Sequence, residues 1–250
     1  MADNPNTVGG IRAVELYFRI IREISSGQPA FFQSRTQLNT PGLGTLMPEN
    51  FRDVAEMSEQ CIDLFMLELN QACESIIRFE ERELNFNWIS LHMPAQFLVM
   101  ENAENQLMAA LKSTDVSPNR LCFSFTDGIL GESNDTAASR IQNLRNRGFH
   151  FMITNFGSYG CPVMRLADYP VDYIMLSPEV TGYCGHSQRS QDAVRSIVSF
   201  VDDMGAQAIA DGVTVSSQAS DMYDCGCLYC AGSLAGKYTA GRYIRKKTEN

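Results

Sequence analysis

Side chains capable of chemistry are sparse in this chain. Cys225, Cys227 and Cys230 crowd into one run, CGCLYC, with Cys184 and His186 further back. Thiolates and imidazoles are zinc donors, but structural zinc is normally held by two Cys-x-x-Cys pairs or a Cys/His equivalent. Cys227 and Cys230 make one such pair, and no second knuckle matches it. On an extended segment Cys225 and Cys227 would share a face while Cys230 points away, so no zinc site is expected. The second place to look is Thr154-Asn155-Phe156-Gly157-Ser158-Tyr159. It leaves a short apolar strand, where parallel α/β proteins usually put their chemistry, yet it offers no carboxylate, imidazole or amine. His150 in a strand and His186 in a polar loop have no predicted partner.

The elements around that loop repeat a strand–helix rhythm. FHFMI and DYIMLS read as buried strands joined by a turn and a helical crossover, a βαβ unit. Before them, VELYFRIIREI and PAFFQSRTQL flank Ser25-Ser26-Gly27 as a hairpin, which sets the first strand against its neighbour. NTPGLGTLMP, with two glycines and two prolines, reads as irregular. The region from Pro48 to Phe79 is helical, with Leu64, Leu67, Ala72 and Ile76 at helical spacing. NWISLHM is a strand with one polar face and RLCFSFT another. AQFLVMENAENQLMAALKST is the helix between them. TAASRIQNLRNRG and DAVRSIVSFVDDMG are helices closed by Gly148 and Gly205. AQAIADG is a strand, SQASDMYDCG a short helix and CLYCAGSL the last strand. No linker or repeat interrupts the series, so residues 1–250 read as one domain.

Length and charge bound the rest. The 250 residues suit one α/β barrel. A net charge of −9 argues against nucleic acid as partner, and the basic cluster Arg242, Arg245, Lys246 and Lys247 reads as a solvated terminal turn. No apolar run is long enough to span a membrane. MADNPNTVGG lacks the features of a signal peptide. The expected compartment is the cytoplasm, and the eight cysteines are then reduced thiols.

Together these anchors resemble the EAL domain, the cyclic di-GMP phosphodiesterase family. The likeness runs from about Val14 to Leu234, within a core of about 14–240. Ser26-Gly27 matches the turn before the family's name motif, and Pro41, Gly44, Pro48 and Phe51 match the residues after it. Ala72-Cys73 matches a helix end. Asn155-Phe156-Gly157-Ser158 and Tyr169-Pro170-Val171-Asp172 match the DDFGTG and LPVD segments without a gap. Ala210-Asp211-Gly212-Val213-Thr214, then Gln218, match the AEGVE region, and Gly226-Cys227 the Gly-Cys before the last strand. The resemblance implies an α/β fold, a TIM-like (β/α)8 barrel with its first strand antiparallel.

It also assigns the functional positions, and most have changed. The E-A-L triplet falls on Gln33-Ser34-Arg35, and the ligand-contacting Arg beyond it on Gln37. Strand parity puts the Asn of VNLS on His92. The metal-binding Glu of ELTE falls on Ser124, its Thr on Thr126 and its second Glu on Asp127. The paired aspartates fall on Thr154 and Asn155, and the Lys and Asp of LKID on Met175 and Ser177. The Glu of AEG becomes Asp211, the second Glu of AEGVE Thr214 and the late Gln Ala231. A two-metal phosphodiesterase needs carboxylates to hold magnesium or manganese near a phosphate. Each lost unit-charge contact forfeits roughly 4 kcal/mol at about 4 Å and an effective dielectric near 20. Metal binding and hydrolysis of cyclic di-GMP are therefore expected to be lost.

Three functions follow from this reading. The first is a non-enzymatic EAL-like domain in bacterial signalling that acts by protein–protein contact. The resemblance implies a homodimer through 156–166, including Pro162, Val163 and Met164; any other protein partner is not legible. The second is a receptor for cyclic di-GMP or another nucleotide, with Gln33, Arg35, Gln37, Asn155 and Asp211 as ligand-binding candidates. The third is a residual or repurposed enzyme centred on His92 and Asp211. Bland alternatives stand beside these: Arg35 as a rim residue paired with a carboxylate, His92 as a hydrogen-bonded interior histidine, Asp211 as a loop cap.

Overall fold

The computed structural model describes residues 7–8, 11–58, 60–131 and 135–246, with side chains from Arg12 onward. Lys247 of the basic cluster and most of the N-terminal stretch read for a leader lie outside these residues. The framework starts with the expected hairpin. Strands β1 (Val14–Glu23) and β2 (Pro29–Thr40) run antiparallel, in register from Val14 opposite Leu38 to Ile21 opposite Phe31. Six further strands follow: β3 (Ile89–His92), β4 (Leu121–Thr126), β5 (His150–Phe156), β6 (Tyr173–Leu176), β7 (Gln207–Ala210) and β8 (Tyr229–Cys230). From β3 to β8 each is parallel to the one before it. Tyr229 and Cys230 then pair antiparallel with Glu23 and Arg22 of β1, which closes the barrel.

Helices cover the outside: α1 (Pro48–Glu56), α2 (Gln60–Glu81), α3 (Ala95–Val99), α4 (Ala103–Thr114), α5 (Asp135–Asn146), α6 (Pro178–Tyr183), α7 (Gln188–Asp203) and α8 (Ser216–Asp224). Strand alternation sorts the apolar residues into two bodies. Outward residues such as Phe32, Leu91, Phe123 and Phe151 pack under the helices. Inward residues, Ile21, Phe31, Trp88, Cys122, Met152, Met175, Ile209 and Ala231, form a separate plug. Its lower part is aromatic: Phe31 stacks on Trp88 with centroids 4.0 Å apart, and Tyr173 and Tyr229 pack edge-on around Phe31. The barrel is thus filled below, and a polar cluster stands at its mouth, where the parallel strands end.

Several local expectations change. In NTPGLGTLMP the glycines build structure: β2 continues to Thr40, and Gly44–Leu46 folds back to pair with Leu38–Thr40. The buried row of α2 is Cys61, Phe65, Leu69, Ala72, Cys73, Ile76 and Phe79; Ala72 and Ile76 lie on it as read from the sequence, while Leu67 is exposed. The helix after β3 splits because Met100 is extended, separating α3 from α4. The crossover after β5 is only a 3-10 segment, Val163–Asp168. After β8 the chain returns across the barrel, and Thr239–Ala240 pairs with Phe18 and Tyr17 of β1.

Candidate functional site

The mouth is built around Arg19, which sequence reading passed over. On β1 it faces inward opposite Gln33 of β2. Its Nε donates to Gln33 Oε1 at 2.6 Å and its Nη2 to Asp211 Oδ2 at 2.7 Å, just past β7. Both ends of the ion pair are largely buried, with side chains 13% and 18% exposed. The thioether of Met175 on β6 lies 3.5 Å from Gln33 Nε2 and 3.9 Å from Arg19 Nη2. Tyr238, carried in by the returning chain, donates its hydroxyl to Gln33 Oε1 at 3.2 Å. Its ring lies under two guanidinium groups, Arg35 at 4.2 Å and Arg19 at 5.1 Å from the centroid. Burial alone would lower the Arg19 pKa, but Tyr238 and Asp211 outweigh it and raise it above the ordinary value. Burial and Asp211 push the Tyr238 phenol up against the opposing pull of Arg19 and Arg35. The guanidinium and the phenol hold their protons, and each Asp211 oxygen already accepts a hydrogen bond, one from Arg19 and one from the Gly212 amide.

Of the candidates, Gln33, Met175 and Asp211 therefore come together, joined through Arg19. Arg35 shares their side but stacks on Tyr238 and meets no carboxylate among the described residues, where its buried Nε also has no hydrogen-bond partner. Gln37 is buried higher on the hairpin, opposite Glu15. Asp211 also accepts from the Gly212 amide at 2.7 Å, so its loop-capping reading holds alongside the ion pair.

The loop after β5 takes up the other positions. Thr154 donates to the Phe125 carbonyl at 3.0 Å. Asn155 sits at φ 62° where the β5–β6 register shifts, a left-handed conformation that asparagine tolerates better than most residues. Ser158 then reaches back to Asp127 Oδ2 at 2.6 Å. Gly157 has φ 82°, and a Cβ there would stand 2.6 Å from Val180 Cγ2 on α6. Ser177, buried, accepts from the Val180 amide as the N-cap of α6. Thr214 donates its amide to Gln218 at 2.9 Å. At most of these positions the side chain is spent on the backbone or a neighbouring loop. Ser124 is buried within β4.

His92 turns away from Asp211. Its Nε2 lies 2.6 Å from Glu56 Oε1 on α1, a partner 36 residues away that no motif announced. Burial raises the Glu56 carboxyl, but the hydrogen bond and charge of His92, with Arg52 nearby, outweigh it and hold the pKa below its ordinary value. The pair lines a cavity of about 330 Å³ with Ala95, Phe125, Thr126 and Tyr169. A centre combining His92 with Asp211 is not what the side chains form. His150 lies 4.0 Å from Asp172, which accepts from Arg145 at the opposite end of the barrel. The cysteine run is not an extended face: Cys225 ends α8 and only Cys230 lies in a strand.

An eight-stranded barrel closed by a reversed first strand, with its polar cluster at the parallel strands' C-terminal ends, is a TIM-like barrel of mixed orientation. The chain belongs to the EAL domain family, which matches residues 11–238. Among curated relatives it is 22% identical over 230 residues to the cyclic di-GMP phosphodiesterase RocR of Pseudomonas aeruginosa, covering 86% of this chain and 58% of RocR. It is 20% identical over 193 residues to the oxygen sensor protein DosP of Escherichia coli, covering 77% of this chain and 24% of DosP. The chain thus spans only part of the relatives it matches. Among solved structures, the phosphodiesterase PaMucR in complex with cyclic di-GMP superposes with a TM-score of 0.81 at 17% identity, covering 92% of this chain and 93% of that one. The FimX EAL domain bound to cyclic di-GMP, from Pseudomonas aeruginosa, gives 0.79 at 16% identity, with 94% of each chain covered. At such identities the likeness establishes the fold. No helix among the described residues is long and apolar enough to cross a membrane.

Proposed function

We propose that this EAL domain serves cyclic di-GMP signalling without hydrolysing the dinucleotide, and acts through protein–protein contact. The observation that carries this reading is the Arg19–Asp211 ion pair at 2.7 Å. Asp211 is the mapped ligand position that keeps a carboxylate and lies in the central cluster, and a guanidinium already neutralises it. Around it stand an amide, a thioether and a phenol. Magnesium and manganese are hard cations that take carboxylates and water, and this donor set does not fit them. Asp127 keeps a carboxylate but accepts from Ser158, and Thr154 donates to a backbone carbonyl. Names such as cyclic di-GMP phosphodiesterase, borne by RocR, therefore do not carry over as an activity.

The test is chromatography of cyclic di-GMP incubated with the purified protein and magnesium or manganese. Unchanged substrate is the expected result; a linear dinucleotide absent from an Arg19→Met/Asp211→Asn control would overturn the proposal. A receptor role is the second reading, favoured by Arg35, a cation at the mouth that makes no ion pair among the described residues. Calorimetric titration with cyclic di-GMP separates the two. Binding tighter than about millimolar, roughly 4 kcal/mol, that Arg35→Ala abolishes would move the function to the receptor.

A further inference from the structure

Cys184 and Cys225 lie outside the mouth cluster, yet their sulfurs are 3.5 Å apart. Cys184 ends α6 and Cys225 ends α8, so the contact joins the segments that follow β6 and β7. Two features hold the ends together. Gly185, at φ 83°, passes so close to α8 that a Cβ there would stand 2.4 Å from Asp221 Oδ2. Cys225 Sγ also lies 3.6 Å from the Gln191 carbonyl of α7. Both thiols are free and buried, with 5% and 3% of each residue exposed. We propose that Cys184 and Cys225 are a disulfide-forming pair, a modification site for small disulfides of the glutathione class that staples α6 to α8.

The exchange balances as two displacements. One cysteine, as thiolate, attacks a sulfur of the small disulfide, forming a mixed disulfide and releasing one small thiolate. The other cysteine, as thiolate, attacks the protein sulfur of that mixed disulfide and releases the second. The two protons leaving the protein end on the two released thiolates, and the small disulfide takes the two electrons. The sulfurs must close from contact at 3.5 Å to bonding distance, about 2.05 Å. Burial first, then the Cys225 thiol and Asp221, push the Cys184 thiol up to about 12. Exchange is accordingly slow at neutral pH and faster in mild base. Ser177 at the head of α6 and Asp211 after β7 adjoin the stapled segments, so oxidation fixes one side of the mouth.

The experiment treats the purified chain with oxidised glutathione at mildly alkaline pH, removes excess reagent, and maps disulfides by proteolysis and mass spectrometry without reduction. The expected result is a Cys184–Cys225 linkage, loss of two of the eight titratable thiols, and slower amide exchange in α6, all reversed by dithiothreitol. Cys184→Ser removes the linkage, while Cys161→Ser, a half-exposed thiol elsewhere, leaves it intact. A glutathione adduct that never resolves, a linkage between other cysteines, or eight unchanged thiols would overturn the proposal. Mapping the unaltered chain keeps the test decisive if a variant fails to fold.

Discussion

At the scale of single residues, the decisive one is Arg19. Gln33, Met175 and Asp211 could be placed at the mouth from the sequence because the spacing of the family's motifs carries them there. Arg19 carried a weaker signal: one of two cations inside the run VELYFRIIREI, on the parity of Ile21 and opposite to Phe18 and Arg22. Tyr238 carried none, since it lies beyond the last recognisable strand and arrives through the pairing of Thr239–Ala240 with β1. Removing one partner of a buried ion pair strands the other charge, whereas replacing both is often close to neutral. Arg19→Met is therefore expected to cost about 2–4 kcal/mol, at the lower end because both side chains keep some exposure. Arg19→Met/Asp211→Asn is expected to recover most of that cost. Urea unfolding of the single and double variants measures it; equal destabilisation in both would show that packing against Tyr238, not charge, holds the cluster.

At the scale of elements, α1 and α6 are held by contacts the sequence did not display. Phe51 is the buried residue of α1, and polar ties do the rest. Arg52 meets buried Glu68 of α2 at 3.0 Å, Thr36 of β2 donates to the same carboxylate, and Glu56 meets His92. The helical region was legible from its periodicity, but partners dozens of residues apart are created only by barrel closure. Because the folded Glu56 pKa is depressed, its contribution is present above the ordinary carboxylate range and is lost as pH falls through the folded value. Amide exchange in residues 48–56, corrected for intrinsic rates, is expected to rise as pH drops below about 4. Glu56→Gln is expected to flatten that dependence; an unaltered pH profile in the variant would assign it to another carboxylate. For α6 the sensitive point is Gly157. Gly157→Ala must adopt a positive φ and push a methyl into Val180, so a loss of more than about 1 kcal/mol is expected. An unchanged denaturation midpoint would mean that the loop after β5 gives way without α6.

At the scale of the whole molecule, the barrel was legible because its alternation of strand and helix is written locally, while the filling of its mouth depends on residues brought together from β1, β2, β6, β7 and the returning chain. If the domain acts as proposed, through protein–protein contact, its surface must carry the function. The segment from Tyr159 to Met164 suits that role: Tyr159 is fully exposed, Met164 is 73% and Val163 38% exposed, and Leu166 anchors the segment beneath. Exposed apolar residues this close in sequence favour contact with another protein surface. A second copy is the occupant to test first, but two chains of net charge −9 repel one another. Dimerisation through this segment is therefore expected to strengthen with salt, as the screening length falls from about 8 Å at physiological ionic strength to about 3 Å at 1 M. An interface made of ion pairs would weaken instead. Sedimentation velocity across that salt range should show dimer growing with ionic strength, and Met164→Glu, which puts a charge at the centre of the apolar contact, should return the chain to monomer at every salt concentration. A mass that ignores Met164→Glu would remove this interface, and with it the self-association arm of the signalling role, while leaving contact with a different protein partner to the same exposed segment.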